Sequence, residues 1–221
     1  ARMRNWIFVK VETDQPGLYG WGEATLEWKT KSVVGAVEDL SVLLIGQDPR
    51  RIEHLWQIMH RQYFWRGGII NYTAMSGIDQ ALWDIRAKAA GWPLYKLLGG
   101  SAKTVPAYAG GVSLGYQDPA ALVAEARPHL AAGYKALKLR VGDSPKRDLE
   151  RIAAVRKAFG DELVILTDAN IGYSVEDARA VMPAMEEMNV GWLEEPFPPH
   201  DHRSYELAET FSSVPLAAGE N

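Results

Sequence analysis

Three acidic residues recur at nearly constant intervals, each just after a short apolar run, and that rhythm constrains the fold more than any other feature of the chain. Asp168 follows Leu166-Thr167, Glu194 follows Trp192-Leu193 and Glu220 follows Ala218-Gly219. Lys138 precedes Asp168 by 30 positions, Asp168 precedes Glu194 by 26 and Glu194 precedes Glu220 by 26. A strand–helix unit of a parallel sheet takes roughly 30 residues. Each charged residue therefore falls at the same point of its own unit, near the C-terminal end of a strand.

The surrounding pattern supports that reading. Strands are expected at 105–109, 136–141, 164–167, 190–193 and 216–218, separated by helical patterns. One helix is expected from Asp118-Pro119, an N-cap followed by proline at the first helical position. Others are expected to start near Pro145, Ser174 and His202, with Pro128 and Pro183 as local costs inside two of them. Alternating strands and helices mean a parallel sheet covered by helices, in a doubly wound sheet or a (β/α)8-type barrel. The spacing of the charges favours the barrel, whose strand ends form a ring at one face where active sites lie. An open sheet would string the same residues along a line.

The first hundred residues follow another rhythm, and 1–100 is expected to be a separate α+β domain, with the barrel occupying 101–221. Strands are expected over 6–11 and leading into Trp21-Gly22-Glu23-Ala24, with a turn at Gln15-Pro16-Gly17. Helical spacing covers 31–45, 51–63 and 73–90, the last stopping at Gly91 with Pro93 beyond. Both ends of the chain look cut, because Ala1 opens in the run-up to a strand and Asn221 follows one directly.

Composition excludes several classes of function. The 221 residues hold no cysteine, which removes disulfides, zinc–thiolate sites and thiol nucleophiles and suits a reducing cytoplasm. A net charge of −4 with no cluster of Lys and Arg argues against nucleic acid or an anionic membrane as partner. The most apolar long stretch, 33–45, is interrupted by Glu38 and Asp39 and is short of the roughly 20 residues of a membrane span.

Three carboxylates converging on one small volume repel one another unless a cation sits among them. An all-oxygen set without His or Cys suits a hard divalent ion such as Mg²⁺. Lys138 and Arg140, two apart on one strand, face the same side, where they meet an anionic substrate beside the metal or pair with interior acids for structure alone. Asn170 is a candidate substrate contact or a loop cap, and Glu195 a substrate or outer-shell residue. Trp21, Glu23 and Trp28, with Trp65 and Arg66, are candidates for a specificity lid. The His200-Asp201-His202 run reads as a solvated loop, since neighbouring residues in a proline-rich segment rarely converge on one ion. Gly99-Gly100 reads as a turn.

The set Lys138-Leu139-Arg140, Asp168-Ala169-Asn170, Glu194-Glu195-Pro196 and Gly219-Glu220-Asn221 resembles the mandelate racemase branch of the enolase superfamily. The segments Ile45-Gly46-Gln47-Asp48-Pro49, Phe64-Trp65-Arg66-Gly67-Gly68, Ser76-Gly77-Ile78-Asp79 and Ala81-Leu82-Trp83-Asp84-Ile85 are similar to the capping domain of acid-sugar dehydratases of the galactonate type. The resemblance implies an α+β cap over a (β/α)7β barrel, of which about five strands are present here. It implies Mg²⁺ on Asp168, Glu194 and Glu220, removal of a proton α to a carboxylate through a metal-stabilised enediolate, a sugar-acid substrate and a homo-oligomer. Two departures bear on mechanism. Arg140 stands where the family usually has a second, basic Lys, and the opposite-face His–Asp base would lie beyond Asn221. Arg140 then holds or polarises substrate, and dehydration fits better than racemisation, which needs a base on each face. The alternatives are a racemase or epimerase on the same fold and a non-catalytic sugar-acid-binding homologue.

Overall fold

The computed structural model describes residues 5–61, 64–110 and 114–220, and the chain divides into two compact units, 1–103 and 104–221. Among the described residues no helix is long and apolar enough to cross a membrane.

In the first unit, strands β1 (Phe8–Glu12) and β2 (Tyr19–Glu23) pair antiparallel, and helices α1 (Thr30–Leu44), α2 (Ile52–Arg61), α3 (Ile69–Ala90) and the short α4 (Leu94–Leu97) follow. Strand β2 alternates aromatic and small residues, Tyr19-Gly20-Trp21-Gly22, and its glycines lie against α3. A β-carbon at Gly22 would overlap the Gly77 carbonyl, and one at Gly20 that of Ala81. The helix also satisfies the strand's free edge: Trp21 N–H donates to Asp84 Oδ2 at 2.9 Å and Glu23 N–H to Gln80 Oε1 at 3.1 Å. An edge covered in this way is not a template for further pairing.

Helix α3 starts four residues before the expected Thr73. Gly68, at φ 83°, sets the break, and the Thr73 hydroxyl donates to the Ile69 carbonyl inside the helix instead of capping it. The expected end of the second helix at Tyr63 lies outside the described residues, and α4 was not anticipated.

The second unit alternates throughout: β3 (Ala109–Gly110), α5 (Pro119–Ala131), β4 (Ala136–Arg140), α6 (Pro145–Phe159), β5 (Val164–Asp168), α7 (Val175–Glu187), β6 (Val190–Glu194), α8 (His202–Ala208) and β7 (Leu216–Ala217). The five strands are parallel and stand in chain order, as a barrel requires; a doubly wound sheet would double back. The expected strand at 105–109 is a correction: pairing begins only at Ala109. Pro106 has no N–H to give a ladder, and Val105 is exposed.

The helices start where their caps dictate. Asp118 accepts from Ala120 and Ala121 N–H, Ser144 from Arg147 N–H, and Ser174 and Asp177 form a reciprocal capping box. Pro128 and Pro183 are tolerated because both lie on solvent-exposed faces, as do Ala124 and Arg179, whose carbonyls they leave free for water. Leu137, Leu139, Ile165 and Leu193 form the core with Leu122, Ile152, Val155, Val181 and Met182 of the helices. By strand alternation Lys138 and Arg140 occupy the opposite face.

Candidate metal centre

Register brings the charged residues together. Arg140 pairs with Asp168 and Asp168 with Glu194 across adjacent strands, so all three share one sheet face at the same level. Keeping that level requires an irregularity: Ile165 pairs with Val190 but Thr167 with Leu193, so β6 carries one extra residue. The Thr167 hydroxyl donates to the Trp192 carbonyl at 2.8 Å at this point, giving the disturbed ladder a partner.

Asp168, Glu194 and Glu220 each offer an oxygen within 4.8 Å of the others. Asp168 is buried, Glu194 half-buried and Glu220 exposed. Oxygens around a hard divalent cation at about 2.0–2.6 Å stand roughly 3 to 5 Å apart, so this carboxylate set fits such an ion. The Lys138 ammonium donates to Glu194 Oε1 at 2.9 Å and lies 3.0 Å from Asp168 Oδ2, bridging two of the three acids. The Arg140 guanidinium donates to the same Asp168 oxygen at 2.5 Å. Burial works to lower the Lys138 pKa, but the hydrogen bonds and charges of Glu194 and Asp168 outweigh it and hold the group above its ordinary value, as an ammonium.

Neighbours orient these groups. Asn170 N–H donates to Asp168 Oδ1 at 3.0 Å, from a residue at φ 46°. Asn170 is exposed. Trp192 Nε1–H donates to Glu194 Oε2 at 3.2 Å, and Tyr108 packs edge-on against the Trp192 ring with Lys138 5.7 Å above its own ring. Neither aromatic was anticipated. Trp192 was open to strand periodicity, since it stands two before Glu194; Tyr108 had no local signal. Glu195 is buried and accepts from Gly219 and Glu220 N–H, at 3.4 and 2.9 Å.

Trp65 and Arg66 belong to the first unit, in the segment between α2 and α3. Trp65 is exposed, and Arg66 Nη2 donates to the Arg61 carbonyl at 3.4 Å. Asp201 caps α8 by accepting from Ser204 N–H and hydroxyl, in accord with a loop role for 200–202.

A buried network lies behind the rim. Asp148, fully buried, accepts from the Tyr173 hydroxyl at 2.8 Å, Gly142 N–H at 3.0 Å and Arg151 Nη1 at 3.1 Å. Arg151 also donates to the carbonyls of Gln117 and Tyr116 and to Asp143. The loops after β3, β4 and β5 are thereby tied together. Burial, then the Asp148 charge, raises the Tyr173 pKa strongly, so its hydroxyl stays protonated.

Residues 121–221 match the family described as enolase C-terminal domain-like, and residues 2–99 the mandelate racemase / muconate lactonizing enzyme N-terminal domain. A D-galactonate dehydratase of Verminephrobacter eiseniae is 38% identical over 97% of this chain and 58% of its own length. A solved member of the enolase superfamily from Polaromonas sp. JS666 superposes with a TM-score of 0.93 at 46% identity, over 98% of this chain and 58% of the other. A Pantoea ananatis enolase with bound D-gluconate and Mg has a TM-score of 0.86 at 29% identity, over 97% of this chain and 61% of that one. The chain thus spans about three-fifths of the length of these relatives.

Proposed function

Since the chain belongs to the mandelate racemase / muconate lactonizing enzyme family of the enolase superfamily, we propose that it forms the cap and the metal-binding part of the barrel of a Mg²⁺-dependent acid-sugar dehydratase. The observation that carries this reading is the meeting of Asp168, Glu194 and Glu220 from three successive strands, with Lys138 between two of them. Asp168, Glu194 and Glu220 would hold the Mg²⁺ ion, which would supply positive charge to a substrate carboxylate.

Lys138 provides a second cation at the same place. Its ammonium, 2.9 Å from Glu194 and 3.0 Å from Asp168, would stabilise the dianionic intermediate beside the cation. Arg140, adjacent on the same face, holds the carboxylate or a hydroxyl of the sugar acid by its planar fork of donors. Asn170, exposed and tied through its backbone N–H to Asp168, is proposed as a contact for a substrate hydroxyl. Trp65 and Arg66 are proposed as contacts that select among acid sugars. An opposite-face His–Asp pair of the kind the family carries would be the base in a protein that has it.

The test is a screen of aldonic and aldaric acids with the intact protein, with and without Mg²⁺, read as α-keto acid formed. Turnover dependent on Mg²⁺, and lost in Asp168→Asn, is the expected result. Exchange of the α-hydrogen for deuterium without loss of water would reassign the enzyme as a racemase or epimerase. Binding of an acid sugar with no product on long incubation would leave a binding protein.

A further inference from the structure

We propose that Glu195 is a positioning residue whose buried carboxylate clamps the backbone of Gly219 and Glu220 and so delivers the third acid to the cation site; the inference rests on the metal reading above. Consecutive residues of a strand face opposite sides, so Glu195 would be expected to point away from Glu194, toward the helices. The chain leaves that alternation here. Strand β6 ends at Glu194, and Glu195 adopts a left-handed backbone at φ 42°, which a non-glycine residue takes up only at a cost. The turn re-aims the side chain: Glu195 Oε1 accepts from Glu220 N–H at 2.9 Å and from Gly219 N–H at 3.4 Å.

Its backbone is committed on both sides as well. Glu195 N–H donates to the Ala217 carbonyl at 2.8 Å, and its own carbonyl accepts from Ile171 N–H at 2.7 Å. One residue therefore touches the segments that follow β5 and β7, the strands whose ends carry Asp168 and Glu220. Burial separates this role from substrate contact: Glu195 is 2% exposed, whereas Glu194 is only half-buried and Glu220 is exposed. A buried carboxylate is tolerated where it accepts backbone N–H groups, and such charge-assisted bonds are the stronger kind. Gly219, at φ 122°, lets the chain turn between Ala218 and Glu220.

Reach and charge can be separated by substitution in the intact protein. Glu195→Gln keeps an acceptor oxygen at the same distance without the charge; Glu195→Asp keeps the charge but is one methylene too short. Mg²⁺ affinity, read by calorimetry without substrate, is expected to stay within about threefold of wild type in the Gln variant. It is expected to fall roughly 10- to 100-fold in the Asp variant, as for other residues that orient metal ligands. Hydrogen exchange at residues 217–220, read without metal, should be faster in Asp than in Gln or wild type. The reverse order, Asp retained and Gln impaired, would show that the charge and not the clamp matters and would overturn the proposal. So would unchanged exchange in both variants, or Mg²⁺ affinity preserved in both with KM raised, which would mark a substrate contact. Absence of Mg²⁺ binding by the wild type overturns the metal reading itself, and the exchange order then decides the clamp alone.

Discussion

Replacing Asp148 by Ala probes the device that ties the rim of the barrel unit together. The substitution removes an acceptor of three hydrogen bonds, from Tyr173, Gly142 and Arg151, at a site with no solvent exposure. Breaking a buried ion pair from one side costs about 3–5 kcal/mol, because the surviving charge is left in a poor solvent. Arg151, with 7% of its side chain exposed, keeps Asp143 at 3.1 Å and two backbone carbonyls, which places the expected loss near the lower bound, about 3 kcal/mol. For a protein of this size that is a fall in Tm of roughly 6–12 °C. Urea unfolding of wild type, Asp148→Ala, Arg151→Met and the double variant measures it. Met in place of Arg removes the stranded charge, so the double variant should lose at least about 1 kcal/mol less than the two single losses together. An Asp148→Ala variant within about 1 kcal/mol of wild type, or strictly additive single losses, would show that the network contributes little to holding the loops.

Lys138→Met should separate binding from chemistry: with its competing ammonium gone from Asp168 and Glu194, Mg²⁺ binds the substrate-free protein more tightly in calorimetry, while kcat falls by about 10²–10³-fold, as for loss of one preorganised charge. Weaker Mg²⁺ binding, or an unchanged kcat, counts against that role. Gly22→Ala should destabilise by at least about 1–3 kcal/mol in urea unfolding, since the new methyl collides with the rigid Gly77 carbonyl of α3; a neutral result would mean β2 does not lie against the helix. At Asp84, burial works to raise the pKa, but the Lys88 hydrogen bond, the Trp21 N–H and the Lys88 charge outweigh it and hold the carboxyl below its ordinary value. A group depressed on folding stabilises above its unfolded pKa of about 3.9 and loses that contribution as pH falls through the folded value. The Tm gap between wild type and Asp84→Asn should therefore be widest at neutral pH and close in acid below about pH 4; a gap constant from pH 7 to pH 3 contradicts the assignment.

What could be read in advance, and what could not, follows from how each feature is encoded. The acids and cations were legible because strand periodicity and the length of a strand–helix unit act on neighbours in sequence: Lys138 and Arg140 share a face by alternation, and Asp168 and Glu194 meet by register. The helix starts at Pro119, Pro145 and Val175 were legible for the same reason, each cap being set within three residues. The extra residue in β6 escaped because spacing within a unit averages over it, yet without that shift Glu194 would not lie level with Asp168. Glu195 was named as a substrate or outer-shell residue, but its hold on Gly219 and Glu220 was not legible, because it depends on a left-handed turn that strand alternation does not foresee. The Asp148–Arg151–Tyr173 network joins loops after three strands, with Arg151 reaching the Tyr116 carbonyl 35 positions away, and no local pattern announces such contacts. Nothing local in the sequence tells why Gly20 and Gly22 are glycines: α3 occupies the space their side chains would need. The placement of the three acids is thus a matter of period, whereas Thr167 at the irregularity and Glu195 at the turn answer to departures from period. Substitutions at those two positions should accordingly disturb the placement of Glu194 and Glu220 more than their distance from a conventional motif would suggest.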